Sequence, residues 1–538
     1  MPHNPLALLS LRPIGDRADA VVLSPHNSHL VSTDEDGNIC LDIGHTLSKS
    51  GNSSTIATIG RDGDIVVEGA SISKIQCSFD INFDTGYVMF YDLSHSQTSQ
   101  VYGGNSRPFE YGRPRKVVVY PGLNTEIGFG GTKRNLVGFQ LIWPKTAAET
   151  IDMAKTRRHL TLQSNPRLAQ TIDDADTELP SGRQTRLHTG PKQLSMRWEF
   201  IEHLGSGAFG EVYKGINVDD GRLMAVKRMK PPTTPDDREL MKTKWMREIK
   251  MLASFNHPHI VEYISSEGWD REFVHVFMAL KEGTLQSLME NECPIPKANV
   301  GYFVCHHMLQ AIDFLSVHRI VHRDIKPENI LYVTQSGQYH FQLSDFGLSS
   351  HQFHASSISG TPLFMAPELL QRGEQTHKAD VWSLFVTMLW TMGGDVVRIF
   401  FATWAGVEGI YDSIVQMALE DNSVAHLLEM GRINHEERAS AAQMLVKCYD
   451  GQGLTTPRDQ IPPLWHQAPA AQHNPFLSLG NHLNAPVTQQ HQISPFGEEL
   501  QALVTPQNRL PLPNDHLQTL VMACEAEFAA NENPSKAY

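Results

Sequence analysis

The sequence predicts a multidomain protein in which an all-β sandwich is followed by an α+β domain. Its 538 residues exceed the length of one ordinary domain. Short β-rich runs separated by Gly, Asp and Asn turns recur between residues 56 and 143, as in a sandwich of antiparallel strands. From Trp198 onward, strand-like runs give way to longer segments of helical period, which indicates a mixed α+β domain.

Polar segments are predicted to flank and separate the two domains. We expect residues 1–52 to be mostly disordered, with one or two local strands, and residues 53–143 to form the sandwich. Residues 144–196 mix charges with Ser, Thr, Pro and Gly and predict a linker, with a short helix near residues 147–158. Residues 197–447 form the second domain, and the Pro-, Gln- and His-rich residues 448–538 predict a disordered tail.

Composition limits the possible partners and compartments. The net charge of −14 argues against direct nucleic-acid binding and against binding to anionic membranes. The most apolar stretch, residues 381–407, is interrupted by Asp395 and Arg398, so a buried helix explains it better than a membrane span. Six scattered cysteines without close pairs indicate reduced thiols in a cytoplasmic or nuclear protein.

Two short stretches of the second domain carry side chains suited to moving a phosphoryl group. Residues 321–329 read Val-His-Arg-Asp-Ile-Lys-Pro-Glu-Asn, and residues 344–347 read Ser-Asp-Phe-Gly. Asp324 can accept a hydroxyl proton, whereas Asn329 and Asp345 offer the oxygen ligands that Mg²⁺ prefers. Apolar strand-like residues flank the first stretch, so we expect it to lie on a rigid base.

A glycine-rich stretch near the start of the second domain predicts a phosphate-binding loop. Residues 204–212 read Leu-Gly-Ser-Gly-Ala-Phe-Gly-Glu-Val, and Lys227 follows at the distance of a hairpin. The glycines allow the backbone to approach phosphates, and the lysine adds positive charge. A dinucleotide-binding loop would require a helix directly after the glycines, but residues 211–214 have the character of a strand.

Together these motifs resemble the eukaryotic protein Ser/Thr kinases. The resemblance implies a bilobal kinase fold that uses Mg²⁺ and ATP to phosphorylate Ser and Thr hydroxyls of protein substrates. Asp324 would be the catalytic base, Lys326 would stabilise the transferring group, and Glu248 would hold Lys227. Asn329 and Asp345 would bind the metal. The implied nucleotide contacts are Leu204, Gly205, Ser206, Gly207, Ala208, Phe209, Gly210, Glu211, Val212, Lys227, Met278 and Ala279.

The resemblance also implies structural contacts and a means of control. Asp380 would brace the backbone of the catalytic loop, and Arg438 would form an ion pair with Glu368. Ser356 and Ser357 lie in the implied activation segment, where phosphorylation would bring a dianion that Arg323 could meet. The sequence departs from the kinase pattern at residues 390–410, where we expect remodelled helices.

The β domain resembles the forkhead-associated (FHA) domains, which read phosphothreonine. The resemblance is carried by Ile59-Gly60-Arg61, by residues 72–79 and by the loop that ends in Thr98. It implies that Arg61 and Ser73 grip a phosphothreonine peptide through charge-assisted hydrogen bonds. Two positions depart from the family pattern, since Gln76 stands where a His is usual and Ser96 stands where an Asn is usual.

The domain order most resembles that of the FHA-containing Ser/Thr kinases of fungi, which are related to DNA-damage checkpoint and meiotic kinases. We therefore expect an ATP-dependent Ser/Thr kinase in phospho-dependent signalling, located in the cytoplasm, the nucleus or both. The alternatives are a pseudokinase scaffold that works through the FHA-like domain and a phosphopeptide-docking adaptor. The Lys, Asp, Asn and Asp set of the second domain argues against the first, and Gln76 and Ser96 argue against the second.

Overall fold

The computed structural model describes residues 3–146, 148–153, 156, 195–207, 210–231, 235–291, 293–345, 362–370, 376–403 and 409–464. The chain divides into two compact units. The first unit comprises residues 1–205 and 212–226, and the second comprises residues 206–211 and 227–538.

The first unit contains two sheets that pack face to face. A six-stranded sheet has the order β2-β3-β1-β11-β10-β8, and a five-stranded sheet has the order β5-β4-β6-β7-β9. Apolar side chains from both inner faces form one core, including Phe79, Phe90, Phe129 and Phe139, which are all fully buried. The strands are β1 (Leu9–Ile14), β2 (Val31–Thr33), β3 (Ile39–Ile43), β4 (Thr55–Gly60), β5 (Ile65–Val66), β6 (Cys77–Ile81), β7 (Val88–Asp92), β8 (Ser99–Tyr102), β9 (Lys116–Val119), β10 (Glu126–Phe129) and β11 (Val137–Ile142).

The N-terminal segment is part of the sandwich, so the prediction that residues 1–52 are mostly disordered was wrong. Strand β1 pairs with β11 and with β3, and helix α1 (Asp16–Val22) buries Ala18, Val21 and Val22. A hydrogen-bond network also holds this segment, because Asp42 accepts from Ser10, from Ser32 and from the backbone N–H of Asn4. The N-terminal segment is therefore ordered by pairing with strands distant in sequence, and its locally polar sequence does not indicate this.

The chain from Trp198 onward begins with a five-stranded sheet of order β12-β13-β14-β16-β15. Its strands are β12 (Trp198–Gly207), β13 (Gly210–Asn217), β14 (Leu223–Met229), β15 (Tyr263–Glu267) and β16 (His275–Ala279). Helix α2 (Pro235–Leu252) follows β14, and its Trp245 and Ile249 pack with Met229 and Val276 in a small core.

A mainly helical core completes the second unit. Helices α4 (Lys297–Val317) and α6 (Lys378–Met392) bury most of their residues, and a three-stranded sheet of order β17-β18-β19 lies beside them. The remaining elements are α3 (Leu285–Glu290), α5 (Pro367–Leu370), α7 (Asp395–Thr403), α8 (Ile410–Glu420), α9 (Ala441–Tyr449), β17 (Gly283–Thr284), β18 (Ile330–Gln335) and β19 (Gln338–Leu343). Among the described residues, no helix is long and apolar enough to span a bilayer.

The structure corrects the predicted start of the C-terminal tail and contains a helix in the linker. The tail was predicted to be disordered from residue 448, but residues 448–464 pack on the second unit. The backbone N–H groups of Thr455 and Thr456 donate to Asp313, and Leu454 packs on the helical core. Residues 148–153 are helical, inside the range where a short helix was predicted, and Ile151 packs against the sandwich. Residues 147, 154, 155, 157–194 and 465–538 lie outside the described residues.

Candidate phosphotransfer site

The catalytic loop is held by a buried carboxylate, as the sequence predicted. Asp380, at the start of α6, is fully buried and accepts the backbone N–H groups of His322 and Arg323, each at 2.8 Å. Burial raises the pKa of Asp380, and this effect is opposed by the nearby His322 and the two N–H donors. Arg323 adopts a left-handed backbone with φ of 71°, so the Asp380 contacts hold a conformation that the loop would otherwise avoid.

His322 connects the catalytic loop to the segment that carries Asp345. Its side chain is fully buried, and its Nε2 lies 2.8 Å from the carbonyl oxygen of Ser344. Because a carbonyl oxygen can only accept, Nε2 carries the proton, and Nδ1 accepts the backbone N–H of Asp324. The Ser344 hydroxyl in turn donates to the carbonyl oxygen of Asn329 at 2.9 Å. These hydrogen bonds were not predicted from the sequence, although His322 and Ser344 lie within the two stretches described above.

Asp324, Lys326 and Asn329 converge at the end of the catalytic loop. Lys326 Nζ lies 3.0 Å from Asp324 Oδ2. Asn329 Nδ2 donates to the same carboxylate oxygen at 2.8 Å and to the backbone carbonyl of Asp324 at 2.7 Å. A short 3₁₀ turn over Pro327–Asn329 sets the direction of the Asn329 side chain, which is almost fully buried. The carboxylate of Asp324 is therefore fixed in place by one cation and one amide.

Lys227 and Asp345 form a close ion pair. Lys227 Nζ lies 2.6 Å from Asp345 Oδ1, and the lysine side chain is only 4% exposed. Burial alone would raise the pKa of Asp345, but attraction to Lys227 and its hydrogen bond, with smaller effects of His322 and Lys326, lower it. Asp345 is thus ionised at neutral pH, and its left-handed backbone, with φ of 56°, is a further strained feature of this site.

The residues present fit a divalent cation. The Nδ2 atom of Asn329 is used by Asp324, which leaves its side-chain carbonyl oxygen for a metal, and the Asp345 carboxylate supplies a charged oxygen. Hydrogen bonds from Ser344 to the Asn329 carbonyl keep the two ligand residues on one frame. A hard cation such as Mg²⁺ prefers this set of oxygen donors.

The glycine-rich stretch forms the end of β12 and the start of β13. Gly210 has φ of +147°, and a Cβ at this position would lie 2.1 Å from the carbonyl oxygen of Arg228, so only glycine fits. Leu204 is exposed and Val212 is half-buried. Glu211 forms an ion pair with Arg228. Ser206 and Gly207 lie at the end of β12, whereas Ala208 and Phe209 lie outside the described residues.

Several other predicted residues are placed only in part. Glu248 lies on helix α2, but its side chain is outside the described residues, so its predicted pairing with Lys227 stays a prediction. Met278 and Ala279 end β16, and Met278 packs against the core that includes Trp245. Ser356 and Ser357 lie outside the described residues, and their phosphorylation stays a prediction.

The predicted ion pair between Glu368 and Arg438 is present and buried. Two bonds join the side chains, with Arg438 Nη1 2.6 Å from Glu368 Oε1 and Nη2 3.0 Å from Oε2. Arg438 also donates to the backbone carbonyls of Arg432, Lys378 and Ile433. This pair joins α5 to the segment before α9.

The sandwich brings the predicted phosphopeptide residues into adjacent loops. The backbone N–H of Arg61 donates to the Ser73 carbonyl at 3.1 Å. Gln76 is fully buried; its Oε1 accepts the Ser73 N–H, and its Nε2 donates to the hydroxyls of Thr98 and Ser99. The Gln76 side chain thus ties together the two loops that carry Ser73 and Thr98, although the position departs from the FHA pattern.

Residues 198–447 match the family model described as "Protein kinase domain". The match covers somewhat less than half of the chain and includes both halves of the site described above. The chain therefore contains a region that matches protein kinase domains, and several of its curated relatives are named serine/threonine-protein kinases.

Serine/threonine-protein kinase 36 of Pongo abelii is 34% identical over 192 residues, which cover 35% of this chain and 14% of that protein. Mitogen-activated protein kinase kinase kinase 2 of Arabidopsis thaliana is 32% identical over 203 residues, covering 36% and 31%. Human serine/threonine-protein kinase 10 is 34% identical over 204 residues, covering 36% and 20%. The chain thus spans less than a third of the length of each of these relatives.

Proposed function

We propose that this protein is a Mg²⁺- and ATP-dependent protein Ser/Thr kinase. The observation that carries the proposal is the hydrogen-bonded frame that holds Asp324, Lys326 and Asn329 next to the segment bearing Asp345, with Lys227 paired to that carboxylate. The kinase-domain match over residues 198–447 supports the same conclusion.

Each side chain has a role that follows from its contacts. Asp324 accepts the proton of the attacking Ser or Thr hydroxyl. Its carboxylate suits this role because a hydrogen bond from Asn329 and an ion pair with Lys326 hold it in place. Lys326 supplies a cation beside that carboxylate, where negative charge develops on the transferring group. Lys227 supplies positive charge for the phosphates of ATP.

Asn329 and Asp345 would hold Mg²⁺ through side-chain oxygen atoms. When bound, the metal supplies charge neutralisation for the phosphates of ATP. Hydrogen bonds of Ser344 with His322 and Asn329 join the catalytic loop to the segment that carries Asp345. The same contacts therefore position the two metal-binding residues and the catalytic base.

The proposal is tested by transfer of the γ-phosphate from Mg·ATP to a generic Ser/Thr protein substrate. Asp324→Ala should reduce the rate by about 10² to 10⁴-fold, as expected for loss of a positioned general base. Asp459→Ala is the matched control, because Asp459 is an exposed carboxylate far along the chain in a short turn. Equal rates in the Asp324 variant and the wild type would refute the assignment.

A second candidate function is phosphopeptide binding by the sandwich, which we propose as an FHA-like activity. Its support is the pairing of the Arg61 and Ser73 loops and the bridging role of Gln76. The Arg61 side chain is exposed and makes no ion pair with another described residue, so it can meet a phosphate. Calorimetric titration with a phosphothreonine peptide should show binding that Arg61→Ala abolishes, while the unphosphorylated peptide should not bind.

We further propose that the two activities serve phospho-dependent signalling of the checkpoint or meiotic kind. The support for this step is the domain order alone. Loss of substrate phosphorylation in cells that carry Arg61→Ala, with catalytic activity retained in vitro, would support it, and unchanged phosphorylation would refute it.

A further inference from the structure

The turn between β13 and β14, residues 217–222, is embedded in the sandwich. Val218 is fully buried and belongs to the same hydrophobic core as Phe79 and Phe90 of the sandwich. The backbone N–H of Val118 on β9 donates to the Val218 carbonyl at 2.9 Å. The turn therefore adds a backbone contact to the edge strand of the five-stranded sheet, where an unpaired N–H would otherwise remain.

A second core joins the outer face of that sheet to the kinase strands. Tyr87, Met89 and Val118 of the sandwich are buried together with Ile216 of β13. Ile201 of β12 and Leu223 of β14 pack against the same cluster. Strands β7 and β9 are thus apolar on both faces, one facing the sandwich core and the other facing the kinase strands.

Polar contacts fix the orientation of the turn. Asp219 accepts from Arg113 at 3.1 Å and from Arg197, whose Nε lies 3.0 Å away, and both arginine side chains are only 8% exposed. Asn82 donates to the carbonyl of Asp220 at 3.1 Å. A single partly buried carboxylate therefore joins the sandwich, the segment before β12 and the turn.

We propose that the sandwich contributes to ATP binding. It holds the turn of residues 217–222 and so positions the two strands, β13 and β14, that carry the end of the glycine-rich stretch and Lys227. Strand β13 begins at Gly210 of the glycine-rich stretch and ends at this turn, and β14 carries Lys227 four residues after Leu223. Fixing the turn fixes the register of both strands. Val218 and Asp219 are positioning residues, since they act on ATP through these strands. The inference rests on the proposed function only where it concerns ATP.

The binding arm of the test compares the full-length wild type with Asp219→Asn, Val218→Asp and Arg222→Ala. Arg222 is the matched control, because it lies in the same turn with an exposed side chain. Calorimetric titration with Mg·ATP measures affinity without requiring catalysis. Asp219→Asn should weaken ATP binding by on the order of fivefold or more, the usual size of coupling between distant groups, and Arg222→Ala should not. In steady-state assays the loss should appear in KM for ATP with kcat nearly unchanged.

The exchange arm uses hydrogen–deuterium exchange and does not depend on ATP. In Asp219→Asn, protection should fall at the Val118 amide in β9 and along β13 and β14, while β1 and β11 stay protected. If Val218→Asp prevents folding, Asp219→Asn still decides the matter. If Asp219→Asn binds ATP as tightly as the wild type and shows the same hydrogen–deuterium exchange, the inference is overturned. A wild type that does not bind ATP would instead refute the proposed function, and the exchange arm would then decide this inference alone.

Discussion

Replacing Glu368 should destabilise the second unit strongly, because it leaves a buried arginine without its counter-ion. Arg438 is fully buried, and Glu368 is 6% exposed. Without the carboxylate, three backbone carbonyls remain as acceptors for Arg438 among the described residues. Breaking one side of a buried pair costs about 3–5 kcal/mol, so Glu368→Ala should lower the free energy of unfolding by about that amount.

Denaturant unfolding followed by tryptophan fluorescence measures this change, since the Arg438 guanidinium lies 5.2 Å from the Trp382 ring. The control is Glu429→Ala, which removes a carboxylate from the partly exposed pair with Lys447 and should cost about 1 kcal/mol or less. Replacing both partners, as Glu368→Leu with Arg438→Met, should cost less than Glu368→Ala. A loss in Glu368→Ala no greater than in the Glu429 control would refute the reasoning.

Three further predictions concern pH and backbone geometry. Burial lowers the pKa of His259 to about 4, so this residue is neutral in both states above pH 6.5. Between pH 6.5 and 4 His259 is protonated in the unfolded chain and neutral in the folded one, so it should lower the free energy of unfolding by about 1.4 kcal/mol for each unit by which the pH is reduced. His259→Asn should make this slope smaller when denaturant unfolding is measured at several pH values. Gly210→Ala should lower the unfolding temperature, because its Cβ would meet the Arg228 carbonyl, whereas Gly205→Ala, whose Cβ meets no atom within 4 Å, should fold normally. Gln97 has φ of 51°, so Gln97→Gly should raise the free energy of unfolding by roughly 0.5–1 kcal/mol, and Ser96→Gly should not; equal effects in a denaturant titration would contradict this.

The catalytic loop was predictable because its chemistry is local in sequence. Asp324, Lys326 and Asn329 lie within six positions, and the structure joins them through short hydrogen bonds. The Asp380 brace and the Glu368–Arg438 pair were predicted from the family pattern and are present. The pairing of Lys227 was less accessible, because ion-pair partners depend on how distant segments approach each other.

The N-terminal strands were missed because nothing local marks them. Strand β1 gains its stability from pairing with β11, about 130 positions later, and short polar runs such as β2 have no strand signal of their own. The embedding of the turn at Val218 was also missed. A signal existed, since residues 88–91 and 117–119 are apolar without alternation, which is typical of strands covered on both faces.

The central claim is tested most directly by identifying the residues that receive phosphate. Wild-type protein, Asp324→Asn and Asp345→Asn would be incubated with Mg·ATP and a protein substrate containing Ser, Thr and Tyr, and phosphorylated positions would be mapped by mass spectrometry. We expect phosphate on Ser and Thr hydroxyls only, with transfer lost in both variants and retained in Asp459→Ala. Undiminished transfer in the Asp324 variant, or phosphate mainly on Tyr, would contradict it.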